Sequence, residues 1–324
     1  MLTPIRTRLK DETPPRTASP LPAASMPTAK RSGVRIAPLA RRSLFQLQCA
    51  QPLWLTTLSQ EFVSAGEVHL PLSTWSRPLR MTQTWVNPPT DTPLDGGEVH
   101  LWRASLAQTP DTLRQLHSTL APDEAAKAAR FHFPRHRDHY IAARGLLRRL
   151  LGLYLARPPE SLQFSYGAYG KPSLDGAHAT GDLRFNVSHS HELVLYAFAR
   201  GREVGVDIEH MRADFAGEDI AARFFSAREV NMLRTLPAEA RTHAFFNCWT
   251  RKEAYIKARG EGLSHPLDAF DVSLIPGEPA ALLGTRGDPR ELSRWSLHSL
   301  DAGEGYAAAV VVQGTDYTLR LWQL

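Results

Sequence analysis

Short apolar segments bounded by turn residues predict a series of β-strands after residue 97. The first of them directly follows the turn signal Asp95-Gly96-Gly97. The predicted strands cover residues 98–102, 183–187, 193–199, 204–209, 270–274, 295–300 and 306–312.

Longer segments between these strands predict helices. One helix is expected to begin at Pro122, because acidic residues follow in its first turn. A second, over residues 137–157, has leucines at helical spacing. Ser226 begins a capping-box sequence that predicts a short helix. A long helix is predicted over residues 237–259 and closes at Gly260.

Helices followed by strands, twice over, indicate an α+β fold with two similar halves divided near residue 200. The predicted halves are residues 97–200 and 201–324, with a lead-in segment at residues 81–96. Residues 1–80 are interpreted as a basic, disordered extension rich in Pro and Arg, so Met81 is a plausible alternative start. We assign no role to the chain before residue 97.

The net charge of +5 would suggest nucleic acid as a partner, but its distribution argues otherwise. Residues 1–45 contain nine Lys or Arg and two acidic residues, a net charge of +7, which leaves −2 for the remaining chain. No run of eighteen apolar residues occurs, so we expect no membrane-spanning segment. The two cysteines, Cys49 and Cys248, lie far apart, which fits a reducing cytoplasm.

Two carboxylates alternate along the predicted strand at residues 204–209. Asp207 and Glu209 project from the same face of that strand, because successive side chains point to opposite faces. Such a pair repels unless a cation lies between its members, and hard oxygen ligands suit Mg²⁺. The alternative is a solvated strand end without a metal.

A third carboxylate and a lysine lie on one face of the long predicted helix. Glu253 and Lys257 are four residues apart, and Trp249 precedes Glu253 by four residues. The pair could be an exposed ion pair of about 0.2–0.5 kcal/mol. Its position beside an aromatic residue that should be buried favours a functional site instead.

Two further motifs could contact phosphate. Asn186-Val-Ser188-His189-Ser190 follows a strand and offers hydroxyl and imidazole donors, although loop capping would also explain it. Ser188 and His189 are poorly placed as nucleophile and base, because neighbours on an extended chain point apart. Gly170-Lys171-Pro172 is not a Walker A loop, and it could be an ordinary turn.

Lysine is scarce in the body of the chain. From Met81 onwards the only lysines are Lys127, Lys171, Lys252 and Lys257, whereas arginine supplies the other positive charges. Lysine is a compact, mobile charge that suits phosphate. Because three of the four lysines fall in the motifs above, the scarcity connects those motifs.

Taken in order, these segments resemble the surfactin-type (Sfp-type) 4′-phosphopantetheinyl transferases. The resemblance runs from about residue 97 to the end. The matching segments are Arg144-Gly-Leu-Leu-Arg148, Gly170-Lys171-Pro172, Asn186 to Ser190, Val204 to Glu209, Arg223-Phe-Phe-Ser226 with Glu229, Trp249 to Lys257, and Gly262-Leu-Ser-His-Pro-Leu267.

The resemblance implies a pseudo-dimer of two similar α/β halves with the active site in the cleft between them. It implies that Mg²⁺ is held by Asp207, Glu209 and Glu253. It further implies contacts to the substrate coenzyme A, from Lys127, Gly170, Lys171, Pro172, Ser188, His189, Lys252 and Lys257. One departure is Glu124, which stands where the family has a basic residue before Lys127.

The implied activity is that of a holo-[acyl-carrier-protein] synthase, which transfers 4′-phosphopantetheine from coenzyme A to a serine of an apo acyl or peptidyl carrier protein. Asp207, Glu253 and Lys257 are then the catalytic residues. Glu253, directly or through a bound water, takes the serine proton. Adenosine 3′,5′-bisphosphate leaves. We expect a cytoplasmic monomer that serves polyketide or nonribosomal peptide synthesis.

Three alternatives stay open at this point. The carrier could belong to fatty-acid synthesis. The chain could be a non-catalytic relative that binds coenzyme A or carrier proteins, although its complete set of three carboxylates argues against that. A nucleic-acid binder would have to keep its salt-sensitive binding after residues 1–80 are removed, whereas the charge distribution predicts that the binding is lost.

Overall fold

A computed structural model describes residues 83–167, 170–175, 181–260, 262 and 265–324. The extension at residues 1–80, Met81, Tyr169 and two residues of the segment 262–267 lie outside the described residues.

The described chain is a mixed α+β fold. Its helices are α1 (Pro110–His117), α2 (Pro122–Ala129), α3 (Pro134–Leu155), α4 (Glu218–Phe224), α5 (Ala227–Thr235), α6 (Ala238–Arg259) and α7 (Glu291–Arg294). Its strands are β1 (Glu98–Ser105), β2 (Phe164–Tyr166), β3 (Pro172–Leu174), β4 (Leu183–Ser190), β5 (Leu193–Arg200), β6 (Val204–His210), β7 (Phe270–Val272), β8 (Leu282–Thr285), β9 (Trp295–Leu300), β10 (Tyr306–Gln313) and β11 (Thr318–Gln323).

The predicted helices and strands are confirmed, with shifted ends. Helix α3 begins three residues before the predicted Arg137, because Pro134 occupies a first-turn position, where a missing N–H costs nothing. Ser226 and Glu229 form the expected capping box of α5. Gly260 ends α6 with a φ of 74°, a left-handed conformation that glycine adopts without strain. The sequence did not predict α1, α4, α7, β2, β3, β8 or β11.

Two sheets, each covered by one 22-residue helix, contain the main core. The first sheet has the strand order β11-β1-β5-β4, and α3 packs against it through a cluster that includes Leu147, Leu151 and Tyr196. The second has the order β6-β10-β9, and α6 packs against it through a cluster that includes Trp249 and Ala309.

A third apolar cluster joins the two sheets. Leu101 and Leu195 of the first sheet pack with Val206, Ile208 and Val310 of the second. Because side chains alternate along a strand, these residues point away from the helix that covers their own sheet. The layers therefore run α3, first sheet, second sheet, α6.

The two ends of the described chain meet across this arrangement. Strand β11 pairs in parallel with β1, so the last strand belongs to the first sheet. Val86 forms a β-bridge to Trp322 on β11. Gln83 Nε2 donates to the carbonyl of Ser299 at 3.0 Å, and Trp85 Nε1 donates to that of Asp301 at 2.5 Å. The segment before residue 97, to which the sequence assigned no role, thus packs on the C-terminal strands.

Candidate active site

Gly205 lets helix α6 approach strand β6 unusually closely. A Cβ atom at this position would lie 2.2 Å from the Ala254 carbonyl oxygen and 2.3 Å from the Ala258 nitrogen, both backbone atoms of α6. Asp207 and Glu209 follow on the same face of β6, because they are two and four residues further along. This close approach brings the carboxylates of β6 next to the turn of α6 that carries Glu253 and Lys257.

Asp207 and Lys257 form a buried ion pair at this junction. Lys257 Nζ lies 2.6 Å from Asp207 Oδ1 and 3.0 Å from Ser188 Oγ, and Ser188 Oγ donates to the same Oδ1 at 2.8 Å. Asp207 Oδ2 is buried and has no hydrogen-bond partner among the described residues. A buried carboxylate oxygen without a donor indicates a ligand position.

The pKa of each of the three carboxylates is raised. Burial, followed by the charge of Asp207, raises the pKa of Glu209 to about 8 and that of Glu253 to about 7. Burial also raises the pKa of Asp207, against the opposing effects of Lys257 and Ser188. Burial alone would lower the pKa of Lys257, but Asp207 and Glu253 outweigh it and the net shift is upwards. The site is short of positive charge.

These oxygens fit a hard divalent cation in their chemistry. Asp207, Glu209 and Glu253 supply only carboxylate ligands, and the buried Asp207 Oδ2 has no donor in the described chain. As the side chains stand, no set of three or more His, Cys, Asp or Glu residues in the described ranges surrounds one metal position. The ammonium of Lys257 instead forms an ion pair with Asp207 Oδ1.

Lys171 joins this site from the β2–β3 hairpin. Its Nζ donates to the carbonyl of Lys257 at 2.8 Å and lies 3.7 Å from Glu203 Oε2. The ammonium therefore caps the last turn of α6, where cations are favoured. Gly170, with a φ of 78°, and Pro172 hold the hairpin beside it.

Two other predicted contact residues have exposed side chains outside the hydrogen bonds of the carboxylate cluster. His189 follows Ser188 on β4 and points to the opposite face, as expected for neighbours on a strand. Lys127 lies on α2, where its Nζ is 5.2 Å from the centre of the Tyr140 ring. In the described chain Lys127 has no recorded interaction with Asp207 or Lys257. Burial, followed by the charge of Lys257, lowers the pKa of His189 against the opposing charge of Asp207, so the imidazole lies within electrostatic reach of the ion pair.

Lys252 differs from the expectation, because it is fully buried on the other side of α6. Its Nζ lies 2.8 Å from Glu229 Oε2 and donates to the carbonyls of Leu267 and Phe270 at 2.7 and 2.6 Å. With 0% of its side chain exposed, it has no surface to offer a phosphate. The structure thus gives Lys252 a packing role.

Glu124, the residue that departs from the family pattern, also points inwards. Its Oε2 accepts from Arg148 Nε at 2.6 Å and from the Ala121 amide at 3.0 Å, so it caps α2 and ties it to α3. Arg144 Nε lies 3.2 Å from its other oxygen. Because Glu124 is buried among these partners, Lys127 is the member of this pair on the exposed face of α2.

Two polar residues of β4 were not predicted as site residues. Asn186 Oδ1 accepts from the Val206 amide at 2.8 Å, and Ser190 Oγ donates to Glu209 Oε2 at 2.7 Å. Together with Ser188 they occupy alternate positions, so all three point towards β6. This alternation of polar residues was visible in the sequence and could have predicted that Asn186 and Ser190 share a face with Ser188.

Two surface cavities of about 320 and 420 Å³ lie away from the carboxylates. The first is lined by apolar residues such as Leu146, Leu150 and Leu324, and the second by residues that include Arg259, Arg286 and Glu291. Neither includes Asp207, Glu209 or Glu253. Among the described residues, no helix is long and apolar enough to cross a membrane.

Comparison with known proteins identifies the family. Residues 203–311 match the family model of the 4′-phosphopantetheinyl transferase superfamily, and residues 102–200 match that of the 4′-phosphopantetheinyl transferase N-terminal region. The chain is 40% identical over 242 residues to the 4′-phosphopantetheinyl transferase HetI of Nostoc sp., covering 75% of this chain and 99% of that one. It is 32% identical over 201 residues to the 4′-phosphopantetheinyl transferase Sfp of Bacillus subtilis, covering 62% and 85%.

A more distant relative is the L-aminoadipate-semialdehyde dehydrogenase-phosphopantetheinyl transferase of Xenopus laevis, 30% identical over 165 residues that cover 48% of this chain and 54% of that one. The two family models match on either side of residue 200, and the carboxylates of β6 and α6 lie within the second matched region. The resemblance inferred from the motifs is confirmed: this chain belongs to the 4′-phosphopantetheinyl transferase superfamily and is of the Sfp type.

Proposed function

We propose that this protein transfers the 4′-phosphopantetheine group of coenzyme A to a serine of an apo carrier protein. The observation that carries the proposal is the buried cluster of Asp207, Glu209, Glu253 and Lys257, which joins β6 to α6 inside a chain of this family. The new bond joins the serine oxygen to the β-phosphorus. The bond between the β-phosphorus and the bridging oxygen of the pyrophosphate breaks, and adenosine 3′,5′-bisphosphate leaves.

Asp207, Glu209 and Glu253 are the residues that would hold Mg²⁺. When bound, the ion supplies positive charge to the pyrophosphate of coenzyme A. Their all-oxygen donor set and the buried Asp207 Oδ2 without a donor support this assignment.

Lys257 and Glu253 would act on the reacting groups. Lys257 carries a positive charge inside the cluster and neutralises negative charge that develops on the phosphoryl oxygens. Glu253 lies one helical turn before it, on the same face of α6, and accepts the proton of the carrier serine. Asp207 fixes the lysine through the 2.6 Å ion pair.

Coenzyme A would bind along the edge of this cluster. Lys171 sits against the last turn of α6, and the Gly170-Lys171-Pro172 turn holds it there. Ser188, His189 and Lys127 extend the polar surface towards α2. Lys252 is left out of this binding site, because its ammonium is satisfied inside the core.

We further propose that the protein is a pseudo-dimer whose cleft opens between the two sheet-and-helix halves. The equal lengths of α3 and α6, each on its own sheet, support that description. We expect a monomer in the cytoplasm, where the buried Cys248 thiol stays reduced. We expect carriers of polyketide or nonribosomal peptide synthesis rather than those of fatty-acid synthesis, as the resemblance to the surfactin-type transferases implies.

Mass spectrometry of apo carrier proteins incubated with this protein, coenzyme A and Mg²⁺ tests the proposal. We expect a phosphopantetheine adduct with the wild type and with Asp316→Ala, an exposed residue before β11 that serves as the matched control. Asp207→Ala should give no adduct. Carriers of each type, compared in parallel, identify the pathway. If no carrier is modified by the wild type, the non-catalytic alternative is correct.

A further inference from the structure

The edges of the two sheets meet at β4 and β6 without a backbone ladder. In the described chain β4 pairs only with β5, and β6 pairs only with β10, so each is the last strand of its sheet. The carboxylates of the active site lie on β6 at this seam. What joins the two edges therefore also positions the carboxylates.

Side chains of β4 bridge the seam at three alternate positions. Asn186 Oδ1 accepts from the Val206 amide at 2.8 Å. Ser188 Oγ bonds to Asp207 Oδ1 at 2.8 Å. Ser190 Oγ lies 3.0 Å from the His210 amide nitrogen and 2.7 Å from Glu209 Oε2.

The direction of the bonds at Ser190 follows from the donors available. The amide of His210 can only donate, so Ser190 Oγ accepts from it. The single hydroxyl proton of Ser190 is then free to point at Glu209 Oε2. Ser188 is arranged in the same way, because Lys257 Nζ can only donate to its hydroxyl, which leaves the proton for Asp207.

These bonds fix Glu209 relative to its own backbone. Ser190 Oγ bonds at the same time to the backbone amide of His210 and to the carboxylate of Glu209. A glutamate has several rotatable bonds, and a donor held on a neighbouring rigid strand selects one of its conformations. The sheet of the first half thereby sets the orientation of a carboxylate that belongs to the second half.

We propose that Ser190 is a positioning residue that holds Glu209 ready for the divalent cation, so that the active site is assembled only when the two sheets are in register. The inference rests on the proposed function, in which Glu209 is a magnesium ligand. The bonds of Ser190 run to Glu209 and to the His210 amide, so in this proposal it is not a catalytic residue. Its effect passes through Glu209.

The test compares magnesium binding in Ser190→Ala with that in the wild type. The half-saturating Mg²⁺ concentration is measured twice, from the Mg²⁺-dependent rise in melting temperature without coenzyme A or carrier, and from the rate of transfer. We expect Ser190→Ala to raise both values about tenfold, since residues that orient a metal ligand commonly contribute 10–100-fold. At saturating Mg²⁺, kcat and the KM for coenzyme A should return close to those of the wild type.

Three variants make the result specific. Ser190→Thr keeps the hydroxyl and should restore the wild-type values, and Ser190→Cys keeps the volume with a weaker donor and should fall between. Ser296→Ala removes a half-buried serine hydroxyl from β9 that bonds to the Gly314 carbonyl and to the Tyr317 side chain, and it should leave Mg²⁺ dependence unchanged.

The outcomes separate this inference from the proposed function. If the wild type responds to Mg²⁺ but Ser190→Ala matches Ser296→Ala, the positioning role is wrong and the magnesium site stands. If the wild type transfers phosphopantetheine without any divalent cation, the magnesium site is wrong, and the role of Ser190 falls with it.

Discussion

Lys257 Nζ lies 2.6 Å from Asp207 Oδ1, at the point where helix α6 crosses strand β6. The same ammonium lies 3.0 Å from Ser188 Oγ on β4, so one lysine connects both sheets and the helix. Charge compensation and domain packing therefore depend on the same contact. A change at Lys257 should affect stability as well as catalysis.

Lys257→Met should impair both properties. We expect transfer to slow by about 100-fold or more, since a fixed positive group at developing charge commonly contributes 10²–10³. The free energy of unfolding should fall by about 3 kcal/mol, because Asp207 is left buried without its cation. Steady-state kinetics and urea unfolding measure the two effects.

The double variant Lys257→Met with Asp207→Asn is the control for the stability effect. It removes both charges, so part of the lost stability should return while activity stays low. If the double variant were as unstable as the sum of the two single variants, Lys257 would not be stabilising Asp207.

Stabilisation by Mg²⁺ should grow with pH. The pKa values of Glu209 and Glu253 are raised from 4.5 to about 8 and about 7, so between pH 4.5 and 8 the metal-free folded protein holds protons that the unfolded chain has lost. Its stability therefore falls as pH rises through this range. Mg²⁺ binds the deprotonated carboxylates and offsets that loss.

Melting curves with and without MgCl₂ at pH 6 and pH 8 measure this effect. The rise in melting temperature should be larger at pH 8, and Glu209→Gln should reduce the difference between the two pH values. An equal rise at both pH values in the wild type would show that Mg²⁺ does not bind at these carboxylates.

Lys171 and Lys252 should respond oppositely to substitution. Lys171→Met should raise the KM for coenzyme A with little loss of stability, because Lys171 is partly exposed at the site edge. Lys252→Met should leave Glu229 buried without its partner, at a cost of about 3–5 kcal/mol. Its KM for coenzyme A, measured below the melting temperature, should not change. A raised KM for coenzyme A in Lys252→Met would instead support the phosphate contact that the family resemblance implied for Lys252.

Local periodicity predicts which site residues share a face, but it was not used to predict where Lys252 points. Alternation along a strand places Asp207 and Glu209 on one face, and helical spacing does the same for Glu253 and Lys257. Lys252 lies one residue before Glu253, so it points about 100° away around the helix. It lies three residues after the buried Trp249, which already indicated that it faces the core.

Long-range pairings could not be predicted in this way. Thr318 pairs with Glu98 across the whole described chain, and no local pattern of β11 specifies a parallel partner so far away. The contacts of Gln83 with β9 and of Trp85 with the loop after it are of the same kind. Ser190 was part of a recognised motif, but its bond to Glu209 depends on two sheet edges meeting.

Trp85 should contribute to stability although it precedes the matched family regions. Its indole N–H donates to the Asp301 carbonyl, and its ring lies 5.0 Å from the Arg103 guanidinium carbon. We expect Trp85→Ala to lower the free energy of unfolding by about 2 kcal/mol. Trp85→Phe should cost about 1 kcal/mol, because it loses only the N–H donor. Urea unfolding would contradict the role if neither variant differed from the wild type.

Gly205→Ala should separate α6 from β6. The added methyl group would lie 2.2 Å from a backbone oxygen of Ala254, so the helix itself must move. Overpacking of this kind costs about 1–3 kcal/mol, and more where the backbone cannot yield. The shift also carries Glu253 and Lys257 away from Asp207, so transfer should fall by at least tenfold even at temperatures where the variant is folded.

Gly96→Ala, with no atom within 4 Å of the added methyl, is the control and should behave as the wild type. Kinetics together with circular dichroism melting test both effects, and a fully active Gly205→Ala would show that the close approach of α6 is not what assembles the site.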